Sequence, residues 1–135
     1  IIDFEGEPFR TPEEKRMKQP VMRDLAGMLR SFNYAAWMAL QICTIERPGD
    51  KARLELPLKE WEAEASRQFL AGYWKTLKAD RSLIGSQKDF EQFLRFYLAE
   101  KVLYEIEYEM THRPGWLDVP LAGALELLGV RGAPS

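Results

Sequence analysis

From Met22 onward the apolar residues return every three or four positions, and that spacing fixes the class of fold. Met22, Leu25, Leu29, Phe32, Ala36, Ala39 and Cys43 share one face of a helix that ends before Pro48-Gly49, because side chains at those offsets stack on the same side of a 3.6-residue turn. Leu58, Trp61, Ala65, Phe69, Tyr73 and Leu77 mark a second helix. Pro57 near its start suits a first turn, where no backbone N–H is needed. A third runs from about Lys88 to His112 and is apolar on several faces around Phe93, Leu94, Phe96, Tyr97, Leu98, Val102 and Leu103. Ser86 with Asp89 can cap its start, and Pro114-Gly115 stops it. Asp118 is expected to cap a last short helix, with Pro120 in its first turn and Gly129 past its end.

The other segments are not helical by these signals. Ile1 to Phe4 read as one short strand, and residues 5–20, with Gly6, three prolines and mixed charge, read as a surface loop. The expected fold is therefore mainly α, a single helical domain over 1–135 with one remnant β-strand at its N-terminus. A lone strand cannot pair its own backbone groups. Its partners are expected in chain upstream of Ile1 or in a neighbouring molecule, so the sequence reads as a fragment.

Composition narrows the function. A chain of 135 residues can bury a real core. A formal net charge of −2 gives no electrostatic case for nucleic acid or an anionic membrane. Cys43 is the only cysteine, which excludes a disulfide framework and a cysteine-built zinc site and makes a reducing cytoplasm the default. No apolar stretch approaches a membrane span.

The start of the chain carries the first chemical signal. Ile1-Ile2 run into Asp3, then Phe4, then Glu5-Gly6-Glu7-Pro8. A carboxylate at the end of a buried strand, before a Gly-containing turn, is how kinase-like phosphotransferases hold Mg²⁺ against ATP phosphates. By itself the tetrapeptide equally describes a loop aspartate that caps a turn. Asp24-Leu25-Ala26 then opens a helix after a short loop, as a D-L-A triplet does after the metal aspartate in aminoglycoside-phosphotransferase-like kinases. DFEGEP followed by RDLAGMLRSFNYAA closely resembles bacterial maltokinases, including those fused to trehalose synthase, and the tail YEIEYEMTHRPGWLDVPLAGALELL resembles that family's C-terminal end. The middle, residues 47–90, is only generically similar.

The resemblance implies roles for particular residues. Asp3 would be the Mg²⁺ ligand facing ATP, and Glu5 and Glu7 would orient the metal shell or the acceptor sugar. Asp24 would be a buried anchor of the catalytic loop rather than a catalyst, accepting hydrogen bonds from the loop's backbone N–H groups. Read physically, Asp24 is equally a carboxylate favoured by its helix dipole. The family's catalytic base lies in a His-Gly-Asp segment upstream of the metal aspartate and so outside this chain, as do its phosphate-covering loop and ATP-contacting lysine. No catalytic residue is therefore expected here, and the piece alone is expected to be inactive.

The third helix offers a second candidate region. Tyr104 and Tyr108 are four apart, as are Glu105 and Glu109, so adjacent ridges carry an aromatic and an acidic stripe. Sugars are held by such pairs, rings covering C–H faces and carboxylates taking hydroxyls. The same pattern describes an ordinary amphipathic helix. The resemblance favours an acceptor-sugar role, with Arg113 and Trp116 closing the pocket. His112 has no partner cluster and reads as a helix C-terminal residue. Cys43 and the aromatics Trp37, Trp61, Phe69, Trp74, Phe93 and Tyr97 read as core. Lys15, Arg16 and Lys18 read as a solvated basic run.

The function implied is that of an ATP- and Mg²⁺-dependent cytoplasmic kinase converting maltose to maltose 1-phosphate in trehalose-to-glycogen metabolism. Its partners would be a small sugar and a fused or associated trehalose synthase, with no nucleic acid and no membrane. Association through the face near Ile1 and Ile2 is also expected. The alternatives are a phosphotransferase for an aminoglycoside, choline or another sugar, and a helical interaction module without chemistry.

Overall fold

The computed structural model describes residues 11–17, 20–77 and 86–129. Five α-helices are found there: α1 (Pro12–Arg16), α2 (Met22–Glu46), α3 (Lys51–Leu77), α4 (Gln87–His112) and α5 (Asp118–Leu127). No strand occurs among the described residues, so the fold is mainly α as expected. The strand expected at 1–4 lies outside them.

α2 is the centre of the bundle and packs against α3, α4 and α5. Phe32 meets Trp61 and Phe69 of α3, edge to face, with centroids 6.1 and 5.9 Å apart. Trp74, near the end of α3, meets Phe90 at the start of α4 with centroids 5.0 Å apart. α3 thus runs back along α2, and α4 returns in the direction of α2. Met22, Leu25, Ala26, Phe90 and Leu94 form the buried core at one end, ringed by Leu29, Phe69, Leu70 and Tyr97 among others. Burial of such side chains is the main favourable term for a bundle of this size.

Three element boundaries differ from expectation. The segment 5–20, expected to be all loop, contains α1. Pro12 stands at its first position and Glu13 follows in the first turn, both of which favour a helix start. α3 begins at Lys51, a turn and a half before Pro57, so the proline lies inside the helix. It is exposed there, as is Arg53, whose carbonyl loses its partner and lies within reach of water. The preceding 3₁₀ turn, Pro48–Asp50, starts the helix instead, with the Asp50 carboxylate accepting from Arg53 Nη2 at 3.0 Å. Asp118 is the first residue of α5 and caps nothing with its side chain. The 3₁₀ turn Pro114–Trp116 feeds α5 directly, and Leu121 N–H donates to Leu117 O at 3.2 Å.

The α4 start is as expected. Ser86 Oγ accepts from Asp89 N–H at 3.2 Å while Asp89 Oδ2 accepts from Ser86 N–H at 2.9 Å. Gly129 past α5 has φ of +71°, the left-handed region a helix C-terminus favours for glycine. Two aromatics expected in the core are exposed: Trp61 at 47% and Phe93 at 57%. α4 is apolar on several faces but packs only some of them, Phe90 and Leu94 turning inward while Phe93, Phe96 and Leu103 turn out.

Candidate functional site

At the far end of the α2–α4 contact the apolar packing gives way to charge. Arg30 on α2 is buried and its Nε donates to Glu105 Oε2 of α4 at 2.7 Å. One turn on, Tyr34 donates its hydroxyl to Glu109 Oε1 at 3.0 Å. Arg113, just beyond α4, donates to the same carboxylate from Nε at 2.9 Å and Nη2 at 2.7 Å. Glu109 is 1% exposed and accepts all three bonds, which is what an ionised carboxylate needs in order to stay buried.

These neighbours shift the titration of two groups. Burial holds the Glu105 carboxyl above its ordinary value in spite of the Arg30 guanidinium beside it. Burial, with the Glu105 and Glu109 carboxylates behind it, also raises the Tyr34 phenol. Tyr34 is therefore a neutral hydroxyl donor across the whole physiological range.

The aromatic stripe lies beside the carboxylates. Tyr104 and Tyr108 stack with centroids 6.2 Å apart and planes at 18°, and Tyr108 stacks on His112 at 4.5 Å and 17°. The Arg113 guanidinium lies 5.2 Å from the Tyr108 centroid and 4.7 Å from that of Trp116. Trp116 in turn meets Tyr34 at 6.2 Å and Trp37 at 5.1 Å. Tyr108, His112, Arg113 and Trp116 thus make one partly open face of rings and a cation, with Glu109 fixed beneath. Rings and a planar cation of this kind can cover the C–H face of a sugar and donate to its oxygens.

The chain is similar to glucosamine kinases. One from Streptacidiphilus jiangxiensis is 28% identical over 97% of the chain, and one from Mycolicibacterium smegmatis is 28% identical over 95%. The chain spans only 28% and 29% of the length of these two relatives. No family model matches the chain, and no solved structure does.

Of the residues singled out from sequence, Tyr104, Glu105, Tyr108, Glu109, Arg113 and Trp116 are brought together. Both glutamates point inward to cations of the chain rather than outward. Asp24 stands apart, exposed in the first turn of α2. Asp3, Glu5 and Glu7 lie outside the described residues. Among the described residues no group of three or more His, Cys, Asp or Glu could hold a metal, and no helix is long and apolar enough to cross a membrane. Sequence reasoning missed Arg30 and Tyr34. The available signal was position: Arg30 follows Leu29 directly and stands four residues after Ala26, inside the arc that faces α4.

Proposed function

We propose that this chain is the helical C-terminal part of an ATP-dependent sugar kinase. The observation that carries the reading is the similarity, over nearly the whole chain, to proteins named glucosamine kinase. In the reaction a sugar hydroxyl oxygen forms the new bond to the γ-phosphorus, and the bond to the bridging oxygen breaks to release ADP. The hydroxyl proton passes to a carboxylate that the family resemblance places outside this chain. Bound Mg²⁺ supplies charge neutralisation on the phosphates, with Asp3 as its expected ligand. The part assigned to the described residues is positioning: Tyr104, Tyr108, Arg113 and Trp116 hold the acceptor, and Glu105 and Glu109 hold that face rigid.

Maltose, phosphorylated at its anomeric hydroxyl, is the acceptor the maltokinase resemblance implies. Glucosamine is a second reading, favoured by the names of the relatives. A cytoplasmic setting, a trehalose synthase partner and association through the face near Ile1 belong to the first reading. The test is ADP release by the whole polypeptide that carries this chain, assayed with maltose, glucosamine, an aminoglycoside and choline. Release with maltose or with glucosamine selects between the two acceptors, and the 135-residue chain alone should release none. Tyr108→Ala should raise the sugar KM or lower kcat, with the ATP KM within a few-fold. ADP release independent of every sugar would overturn the reading.

A further inference from the structure

α5 carries a glycine that its own backbone does not require. Gly123 lies inside the helix and is buried, and among the described glycines only Gly129 has a positive φ. Alanine is the better helix former at such a position, so the reason for glycine lies in its surroundings. Of the described glycines, only Gly123 would press a Cβ onto a neighbour. That Cβ would overlap Nη1 of Arg30 on α2 and stand 3.1 Å from Cζ and 3.3 Å from Nη2. The space left by the missing side chain is what the Arg30 guanidinium fills.

Arg30 joins α5 to the face of rings. Its Nε donates to Glu105 Oε2 at 2.7 Å, and its Cζ lies 5.5 Å from the centre of the Tyr34 ring. Tyr34 donates to Glu109 and stacks on Trp116, and Trp116 lies under the Arg113 guanidinium. A shift of Arg30 therefore takes the cation from Glu105 and from the Tyr34 ring together. The shifted side chain has a destination. Arg30 and Gly123 border a cavity of about 210 Å³ that Glu62 of α3 also lines. A long side chain can turn into that space while the bundle stays folded, exchanging one carboxylate for another.

We propose that Gly123 is a positioning residue for the acceptor. By withholding a side chain it sets Arg30 against Glu105 and Tyr34, and through them it sets the Tyr108–Trp116 face. Gly123 itself touches no substrate. The proposal rests on the kinase reading for what that face holds, and on the geometry above for the link to it. The link has a specific remedy. A lysine at position 30 ends near where arginine carries Cζ, so it keeps a cation beside Glu105 without the outer nitrogens that a methyl at 123 would strike. Nη2 is buried and makes no hydrogen bond, so its loss breaks none.

The test compares the chain with Gly123→Ala, Arg30→Lys and the two combined. Gly123→Ala should lower the melting temperature of the parent and raise that of the Arg30→Lys variant, because contacting residues are not additive and only the helix preference remains once the clash is gone. Gly123→Ala alone should move the Arg30 Nε–H NMR signal and the near-ultraviolet signal of the Tyr34, Trp37 and Trp116 cluster. The double variant should return the cluster signal to that of the parent. In the whole polypeptide, Gly123→Ala should raise the sugar KM roughly tenfold, with the ATP KM within a few-fold, and Arg30→Lys should restore it. A Gly123→Ala chain with native Arg30 and cluster signals would overturn the proposal. So would a moved Arg30 signal beside an unmoved cluster, or a cluster that lysine fails to restore. Unchanged sugar kinetics beside a shifted cluster would instead overturn the acceptor role of the face, on which the proposal rests.

Discussion

Between Met22 and Ala26, α2 packs Met22, Leu25 and Ala26 on Phe90 and Leu94 of α4, with a single ion pair at the edge, Arg23 Nη2 to Glu100 Oε1 at 3.6 Å. Further along the same two helices, Arg30 and Tyr34 meet Glu105 and Glu109 through short directional bonds. Hydrophobic burial is non-directional and tolerates a shift of one helix along the other as long as apolar meets apolar. The charged end tolerates none, because a displaced Arg30 or Glu109 is left charged, buried and alone. The apolar end therefore supplies most of the stability, and the ionic end fixes the register that places Tyr108, Arg113 and Trp116 together.

The strongest way to break that comparison is Glu109→Ala. It strands the Tyr34 hydroxyl and leaves Arg113 without its carboxylate. The loss of three hydrogen bonds at a buried carboxylate, together with the unsatisfied Tyr34 hydroxyl it leaves, should cost about 3–5 kcal/mol, and denaturant unfolding should show a loss of that size. A loss under about 1 kcal/mol would mean that Arg113 simply swings into water and the ionic end fixes nothing. Leu25→Ala at the other end is expected to cost slightly less, about 3 kcal/mol, from lost burial and the cavity it leaves. The two should also differ in kind. Leu25→Ala should lower stability while the near-ultraviolet signal of the Tyr34, Trp37 and Trp116 cluster stays native. Glu109→Ala should perturb that signal in the folded state. If both variants change stability and spectrum alike, the division between the two ends is not real.

The apolar end was legible in the sequence and the ionic end was only half so. Met22, Leu25 and Leu94 announce themselves by helical spacing, and Ser86 with Asp89 announces the start of α4 by its capping pattern. Glu105 and Glu109 also fall at helical spacing, but a glutamate four residues from another reads by default as a solvated face. What buries them is an arginine and a tyrosine some 75 positions earlier in the chain, and no local pattern links such distant positions. Pro57 misled for the opposite reason. It is a strong local signal for a helix start, yet the 3₁₀ turn before Lys51 and the exposure of Arg53 let the helix form around it. Trp61 and Phe93 follow the same rule: aromatic type and spacing place them on a helix, and only the packing partners decide which of its faces is covered.

A smaller effect sharpens the contrast from the side of α3, where Glu62 is partly buried yet in no ion pair among the described residues. Its folded carboxyl titrates above the ordinary value of 4.5, chiefly through burial. In the interval above that value the native state holds more protons than the unfolded chain, so stability falls as pH rises through it. Glu62→Gln removes this term, while the amide oxygen still accepts from Asn33. The variant should match the parent near pH 4 and become the more stable of the two toward pH 7. The gain is about 0.5 kcal/mol, since Glu62 is only partly buried and solvent screens its charge. Glu105 contributes a slope of the same sign, but it is present in both proteins and cancels in the difference. Unfolding free energies at a series of pH values measure that difference directly. A difference that stays flat with pH would show that Glu62 is solvated as fully as an exposed glutamate. A decline toward pH 7 would show that its charge is already matched, in which case α3 belongs with the paired ionic end of the molecule.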